Sequence, residues 1–141
     1  MLVQGRVGPL RTNNVVASLE FALVLADAER VKVAAQLSFD ARDPFAVSVS
    51  FDAGGTYPVE WTFARDLLDE GLWRAVGEGD VKVWPHHGAV FLSLCSPSGE
   101  ALLETRRRAV SDFMTRIERL MPMGHEADRV NFDHELECLL S

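Results

Sequence analysis

Three carboxylates and one guanidinium stand close together in the segment VEWTFARDLLDEGL, residues 59–72. Asp66, Asp69 and Glu70 are residue types that can act as a general acid or a general base, and Arg65 could orient them. A single short helix gives these side chains no pocket of their own, and Arg65 stands at i, i+4 to Asp69, where it can neutralise one carboxylate. The pattern is typical of a solvated helix face, and the alternative is a surface for protein recognition.

The histidines and cysteines do not match the spacing of a metal or nucleophile site. His86 and His87 are adjacent, and two solvated imidazoles on a turn are expected there because side chains of neighbouring residues diverge. Cys95 ends an apolar strand, where a buried and inert thiol is usual. The segment SPSGE, residues 96–100, matches neither a nucleophile elbow nor a phosphate-binding loop. We therefore predict no catalytic, metal-binding or cofactor-binding residue, and no enzyme activity.

Arg106, Arg107 and Arg108 form the most basic stretch of the chain. They open a predicted helix, where cations are unfavourable because the helix dipole places partial positive charge at that end. Pairs of Arg108 with Glu104 and Asp112 would make a solvated charge network. The alternative is a patch that binds an anion or an acidic partner. The residues alone leave both interpretations open.

The composition is that of an ordinary globular domain. Hydrophobic residues make up 48% and charged residues 25% of the 141 residues, and a chain of this length buries roughly 70% of its unfolded surface without help from a disulfide or cofactor. A net charge of −7 disfavours nucleic acid as a partner. Two cysteines without a signal sequence favour reduced thiols and a cytoplasmic location. No apolar run approaches the roughly 20 residues of a transmembrane helix.

Alternation of apolar and polar residues predicts seven strands. They cover residues 15–25, 31–39, 45–51, 57–63, 80–84, 89–95 and 101–105. Short connections between the first four strands favour antiparallel neighbours, because a parallel pair needs a crossover of about a dozen residues. Pro58 places the fourth strand at a sheet edge or at a strand start.

Apolar residues at helical spacing predict three helices in an α+β domain. A short helix follows Phe63, with Gly71 suited to the C′ position after its end. A long helix covers residues 109–121, and a terminal helix lies in residues 132–140. Residues 1–14 are expected to form a flexible N-terminal arm before a single domain at residues 15–141.

Five segments of the chain resemble the SsgA-like family of sporulation and cell-division proteins of actinobacteria. They are RDPFAV (42–47), VEWTFARDLLDEGL (59–72), GEGDVKVWP (77–85), SLCSPSGEALLE (93–104) and FDHELECLL (132–140). Together they span about two thirds of the chain in the family's order, which is far more specific than a single short motif. The arm at residues 1–14 and the triple arginine depart from the family's pattern.

The resemblance implies a non-enzymatic regulator that helps to position or activate the division septum. Its implied partners are the tubulin-like protein FtsZ or other SsgA-like proteins, and its implied location is the cytoplasm with recruitment to the septum. The implied fold is whirly-like, with about seven antiparallel strands in two sheets and helices packed against them. The implied assembly is a homo-oligomer, with a trimer favoured.

Partner-binding residues are not transferred from the family and remain hypotheses from the residues themselves. Arg65, Asp66, Asp69 and Glu70 are candidates because they project from a family motif without being needed to fill the core. The basic residues 106–108 are a second candidate. They also motivate an alternative function, a single-stranded nucleic-acid-binding protein of whirly-like fold, which would need a basic groove with stacking aromatic residues.

Overall fold

The computed structural model describes residues 13–52, 58–77 and 79–124. Its elements in chain order are β1 (Asn14–Val24), β2 (Arg30–Asp40), β3 (Ala46–Asp52), β4 (Val59–Ala64), α1 (Arg65–Gly71), β5 (Val81–His86), β6 (Ala89–Ser96), β7 (Gly99–Arg106) and α2 (Arg107–Leu120). The seven predicted strands are confirmed, with ends that differ by no more than two residues. The predicted terminal helix at 132–140 and all but the last two residues of the predicted arm lie outside the described residues.

The seven strands form one antiparallel sheet in the order β4-β3-β2-β1-β7-β6-β5. The prediction of two sheets is therefore wrong. The two halves of the chain are joined where β1 pairs with β7, from Ala22 with Glu104 to Val24 with Leu102. This junction is only three residue pairs long, and the sheet curves into a half-barrel. Pro58 directly precedes β4, which is an edge strand as predicted.

A single hydrophobic core lies between the inner face of the sheet and one face of α2. On the sheet, the rings of Phe21 and Phe51 pack edge to face with centroids 5.3 Å apart. On α2, the buried residues are Val110, Phe113, Met114 and Ile117, which confirms the predicted apolar stripe. A helix of this length is only marginally stable alone in water, so burial of this stripe provides most of its stability.

Gly71 allows α1 to pack closely on strand β5. It is the last residue of α1, and Leu72 is the C-cap with a right-handed backbone conformation, so the predicted C′ role of Gly71 is wrong. A Cβ atom at position 71 would overlap the side chain of Val83. Because Val83 is completely buried, it has little room to move away. The glycine is required here by packing and not by its backbone freedom.

The outer face of the sheet carries polar residues and one aromatic pair. Ser48 and Thr62 share a hydrogen bond of 2.8 Å between their hydroxyl groups. Trp84 and Phe91 are half-buried and stack with ring centroids 5.7 Å apart and an angle of 6° between the planes. None of the helices in the described ranges is long and apolar enough to span a bilayer.

We expect Gly71→Ala to lower the free energy of unfolding by about 1–3 kcal/mol, the usual cost of overpacking a core. The helix propensity of alanine would offset at most about 1 kcal/mol of this cost. Urea unfolding of the wild type, Gly71→Ala, Val83→Gly and the double variant measures the effect, because glycine at position 83 removes both Val83 atoms, Cβ and Cγ1, that the new Cβ would overlap. If the overlap is the cause, the double variant loses less stability than the sum of the single variants; strict additivity would contradict this explanation.

Candidate functional site

Arg65 is buried where α1, α2 and the sheet meet. It is 1% exposed, so the prediction that it projects from the surface without contributing to the core is wrong. Its Nη2 donates a hydrogen bond of 3.2 Å to Oε2 of Glu118 on α2, and its guanidinium lies 5.5 Å from the centre of the Phe39 ring. Its backbone N–H donates to the carbonyl of Phe45 at 2.8 Å. The carboxylate of Glu118 compensates part of the cost of burying this charge.

The three carboxylates predicted to face water occupy different environments. Asp66 is exposed, whereas Asp69 and Glu70 are half-buried. Glu70 forms an ion pair with Arg74, one helical turn further along. Within the described residues, neither Asp66 nor Asp69 forms an ion pair or a side-chain hydrogen bond. We call Asp66, Asp69 and Glu70 the acidic face of α1.

A groove of about 290 Å³ separates α1 from α2 beside this acidic face. We call it the helix groove, and it is lined by Arg65, Asp69, Leu72, Trp73, Ser111, Met114, Thr115, Glu118 and Met123. Its apolar lining comes from α2 and from the segments that follow the two helices. Two carboxylates and two hydroxyl groups add polar contacts. Four of the nine lining residues are apolar and five are polar or charged, so the groove can offer both apolar contacts and hydrogen bonds.

The Asp69 carboxyl lies in an unfavourable environment for a negative charge. Burial raises its pKa above the ordinary value. The charge of Arg65 lowers this pKa, and the carboxylates of Asp66, Glu118 and Glu70 raise it further. The net direction is upward, so an ionised Asp69 is incompletely compensated in the folded chain. A cation brought to the helix groove would stabilise it.

The three consecutive arginines differ in exposure. Arg106 is exposed at the end of β7, Arg107 is half-buried at the start of α2, and Arg108 is exposed. The predicted partner of Arg108, Glu104, forms its ion pair with Arg30 at 2.6 Å. Arg106 and Arg108 thus stay exposed, and the interpretation of residues 106–108 as an anion-binding patch stays a prediction.

Arg107 connects the start of α2 to the end of α1. Its Nε donates a hydrogen bond of 2.6 Å to the carbonyl of Leu72, the C-cap of α1. Its guanidinium also lies 3.7 Å from the centre of the Trp73 ring, which is within cation–π distance. A cation at the C-terminal end of a helix interacts favourably with the helix dipole. The contacts of Arg107 with the end of α1 explain why a cation is tolerated at the start of α2.

Trp73 and Glu118 are site residues that sequence reasoning missed. Trp73 is 70% exposed, which is unusual for a tryptophan, and it lies at the rim of the helix groove. Its position just after the predicted end of a short helix could have indicated that the Trp73 side chain is exposed. Glu118 gave no such signal, because its partner Arg65 is 53 residues away in the chain.

The residues that suggested metal or nucleophile chemistry lie apart from the helix groove. His86 and His87 are exposed at the β5–β6 turn with ring centroids 4.2 Å apart. Cys95 is half-buried, and not fully buried as predicted. Across the described ranges, no group of three or more His, Cys, Asp or Glu side chains is placed to bind a metal ion.

We expect Glu118→Ala to lower the free energy of unfolding by about 1–3 kcal/mol, because it removes a carboxylate from a buried guanidinium. The same variant removes the acceptor for the backbone N–H of Met123, which Glu118 binds at 2.7 Å. Asp112→Ala is the matched control, since Asp112 is exposed on the same helix; it should change stability by no more than about 0.5 kcal/mol. Equal effects of the two variants in urea unfolding would contradict a structural role for the ion pair.

The family model described as "Streptomyces sporulation and cell division protein, SsgA" matches residues 33–126. A sporulation-specific cell division protein SsgB from Frankia casuarinae is 42% identical over 135 residues, covering 93% of this chain and 94% of that protein. The SsgB of Streptomyces coelicolor is 43% identical over 127 residues, covering 87% of this chain and 93% of that protein. The match to each relative spans nearly the whole of both sequences.

Two solved structures share the fold. One, from work on SsgB mutations and longitudinal cell division during sporulation of Streptomyces coelicolor, has a TM-score of 0.79 and 42% identity, covering 82% of this chain and 94% of that chain. An SsgA-like sporulation-specific cell division protein from Thermobifida fusca has a TM-score of 0.81 and 34% identity, covering 88% and 93%. This chain therefore belongs to the SsgA-like family of sporulation and cell-division proteins.

Proposed function

We propose that this protein is a non-enzymatic adaptor in sporulation-type septation. In this proposal it binds FtsZ or another SsgA-like protein, and this contact positions or activates the septum. The names of its relatives, sporulation-specific cell division proteins, support a role in cell division. The protein would act from the cytoplasm and be recruited to the septum, as a homo-oligomer with a trimer favoured.

The main support for the proposal is that α1 and α2 are connected by buried contacts, while Asp69 and Trp73 beside these contacts are left available to a partner. Buried Arg65 and half-buried Arg107 connect the two helices. Beside them, Asp69 is half-buried without an ion pair in the described part of the chain, and the Trp73 ring is held in place by Arg107. Tryptophan and arginine are enriched among the residues that dominate binding energy at protein interfaces.

Asp69 of the acidic face and Trp73 both line the helix groove, so that one partner can contact both. Because Arg107 already orders the Trp73 side chain, less conformational entropy is lost when a partner binds it. The adaptor function needs no catalytic group, and the helix groove supplies contacts for recognition only. A direct contact with FtsZ would use this surface.

The proposal is tested by pelleting polymers of FtsZ from the organism that encodes this chain. We expect the wild type to co-pellet, and the triple variant Asp66→Ala, Asp69→Ala, Glu70→Ala to lose about tenfold or more in affinity. The control is Glu29→Ala, Glu60→Ala, Asp112→Ala, which removes the same charge from exposed positions elsewhere and should bind like the wild type. Thermal unfolding establishes that all three proteins are folded.

The outcomes separate the parts of this proposal. If both triple variants lose binding to the same extent, only net charge matters. If the acidic-face variant binds as well as the wild type, the acidic face is excluded as the site. Failure of the wild type to pellet would contradict direct FtsZ binding and leave another SsgA-like protein as the immediate partner.

A further inference from the structure

The charges that the helix groove presents to a ligand are carboxylates. Among the described residues that line it, the one cation is Arg65, which is 1% exposed and bonded to Glu118. The ionisable groups that reach the groove surface are the carboxylates of Asp69 and Glu118, and the Glu118 side chain is 52% exposed. The charge of exposed Asp66 also acts on Asp69. Among its described lining residues, the groove therefore presents carboxylates to a ligand, and half-buried Arg107 beside it is already engaged with the Leu72 carbonyl and the Trp73 ring.

The apolar part of the groove can hold aliphatic side chains. Leu72 and Met114 are buried at its floor, and Trp73 stands exposed at its rim. Met123 closes one side. Methionine adapts its shape to different apolar partners, and a tryptophan adds a large flat contact surface. A volume of about 290 Å³ is enough for a few side chains and too small for a whole helix to be enclosed.

We propose that the helix groove binds a partner segment in which a lysine or arginine is flanked by aliphatic side chains. The cation pairs with Asp69, and the aliphatic side chains pack between Trp73, Met114 and Met123. This inference rests on the proposed adaptor function and assigns the chemistry of the partner segment at the same surface. An acidic segment is disfavoured because it would face the carboxylates at the groove surface.

Such a partner would remove two unfavourable features of the free protein, the poorly stabilised Asp69 carboxylate and the exposed Trp73 ring. The raised pKa of Asp69 reports that its ionised form is poorly stabilised, and a partner cation supplies the missing opposite charge. Contact with Trp73 removes an exposed aromatic surface from water. A segment with only the cation would gain only the pairing with Asp69, and a segment with only the aliphatic side chains would gain only the contact with Trp73.

The competing occupant is the end of this chain. Residues 125–141 begin soon after Met123 and carry five carboxylates and one arginine. Their negative charge disfavours them in a groove whose accessible charges are also negative. Charge complementarity thus favours a basic partner segment, and occupancy by residues 125–141 is an outcome that the experiment must distinguish.

The test uses a short fluorescent peptide with leucines at helical spacing and lysines beside them, and a matched peptide with glutamates in place of the lysines. Fluorescence anisotropy with the full-length protein should show binding of the lysine peptide alone. We expect Asp69→Asn and Trp73→Ser each to weaken it by about tenfold. Asp112→Asn and Glu60→Gln, at exposed positions outside the groove, should leave the affinity unchanged.

NMR spectra of the methionine methyl and tryptophan indole groups locate the bound peptide. The proposal expects shifts for Met114, Met123 and Trp73, and it is overturned if these signals do not move or if the glutamate peptide binds as well. It is also overturned if a synthetic peptide with the sequence of residues 125–141 moves the same signals and the lysine peptide does not. If the lysine peptide fails while FtsZ pelleting still depends on the acidic face, the partner chemistry is wrong and the adaptor site stands.

Discussion

The burial of the Arg65 guanidinium is the interaction on which the arrangement of the two helices depends. A charge that is 1% exposed must be compensated, because an isolated buried ion costs several kcal/mol. Glu118 supplies a carboxylate from α2, and Phe39 supplies an aromatic face from β2. The first residue of α1 is therefore tied to both the sheet and the second helix, and α1 cannot move without breaking these contacts.

The fixed position of α1 determines what the surface can offer to a partner. With Arg65 directed inward to Glu118, Asp66 and Asp69 have no ion-pair partner among the described residues, whereas Glu70 pairs with Arg74. Asp69 is left at the groove with a raised pKa, and Arg107 holds Trp73 beside it. A half-buried carboxylate without sufficient opposite charge costs stability, and a cation from a partner would offset that cost. The Arg65–Glu118 ion pair thus fixes α1 against α2 and leaves Asp69 without a paired cation among the described residues.

The strands and the long helix could be predicted because each has a clear period of apolar residues. The single sheet could not, because β1 and β7 pair through only three residue pairs, and such a contact leaves no signal in either strand. Arg65 was misjudged since a charged residue at the start of a helix is usually solvated, and its partner Glu118 is distant in the chain. The role of Gly71 depends on Val83, which only the packed structure brings near it. The family resemblance predicted the biological setting but not these contacts.

Photocrosslinking in living cells can show whether the surface between α1 and α2 contacts the division machinery. A photoreactive phenylalanine analogue replaces Thr115, which is exposed and lines the helix groove, and Gln36, which is exposed on β2, is the control position. During sporulation in the organism that encodes this chain, we expect a crosslink from position 115 to FtsZ or an SsgA-like protein, and none to them from position 36. Crosslinks to these partners from position 36 alone would mean that the helix groove is not the contact surface.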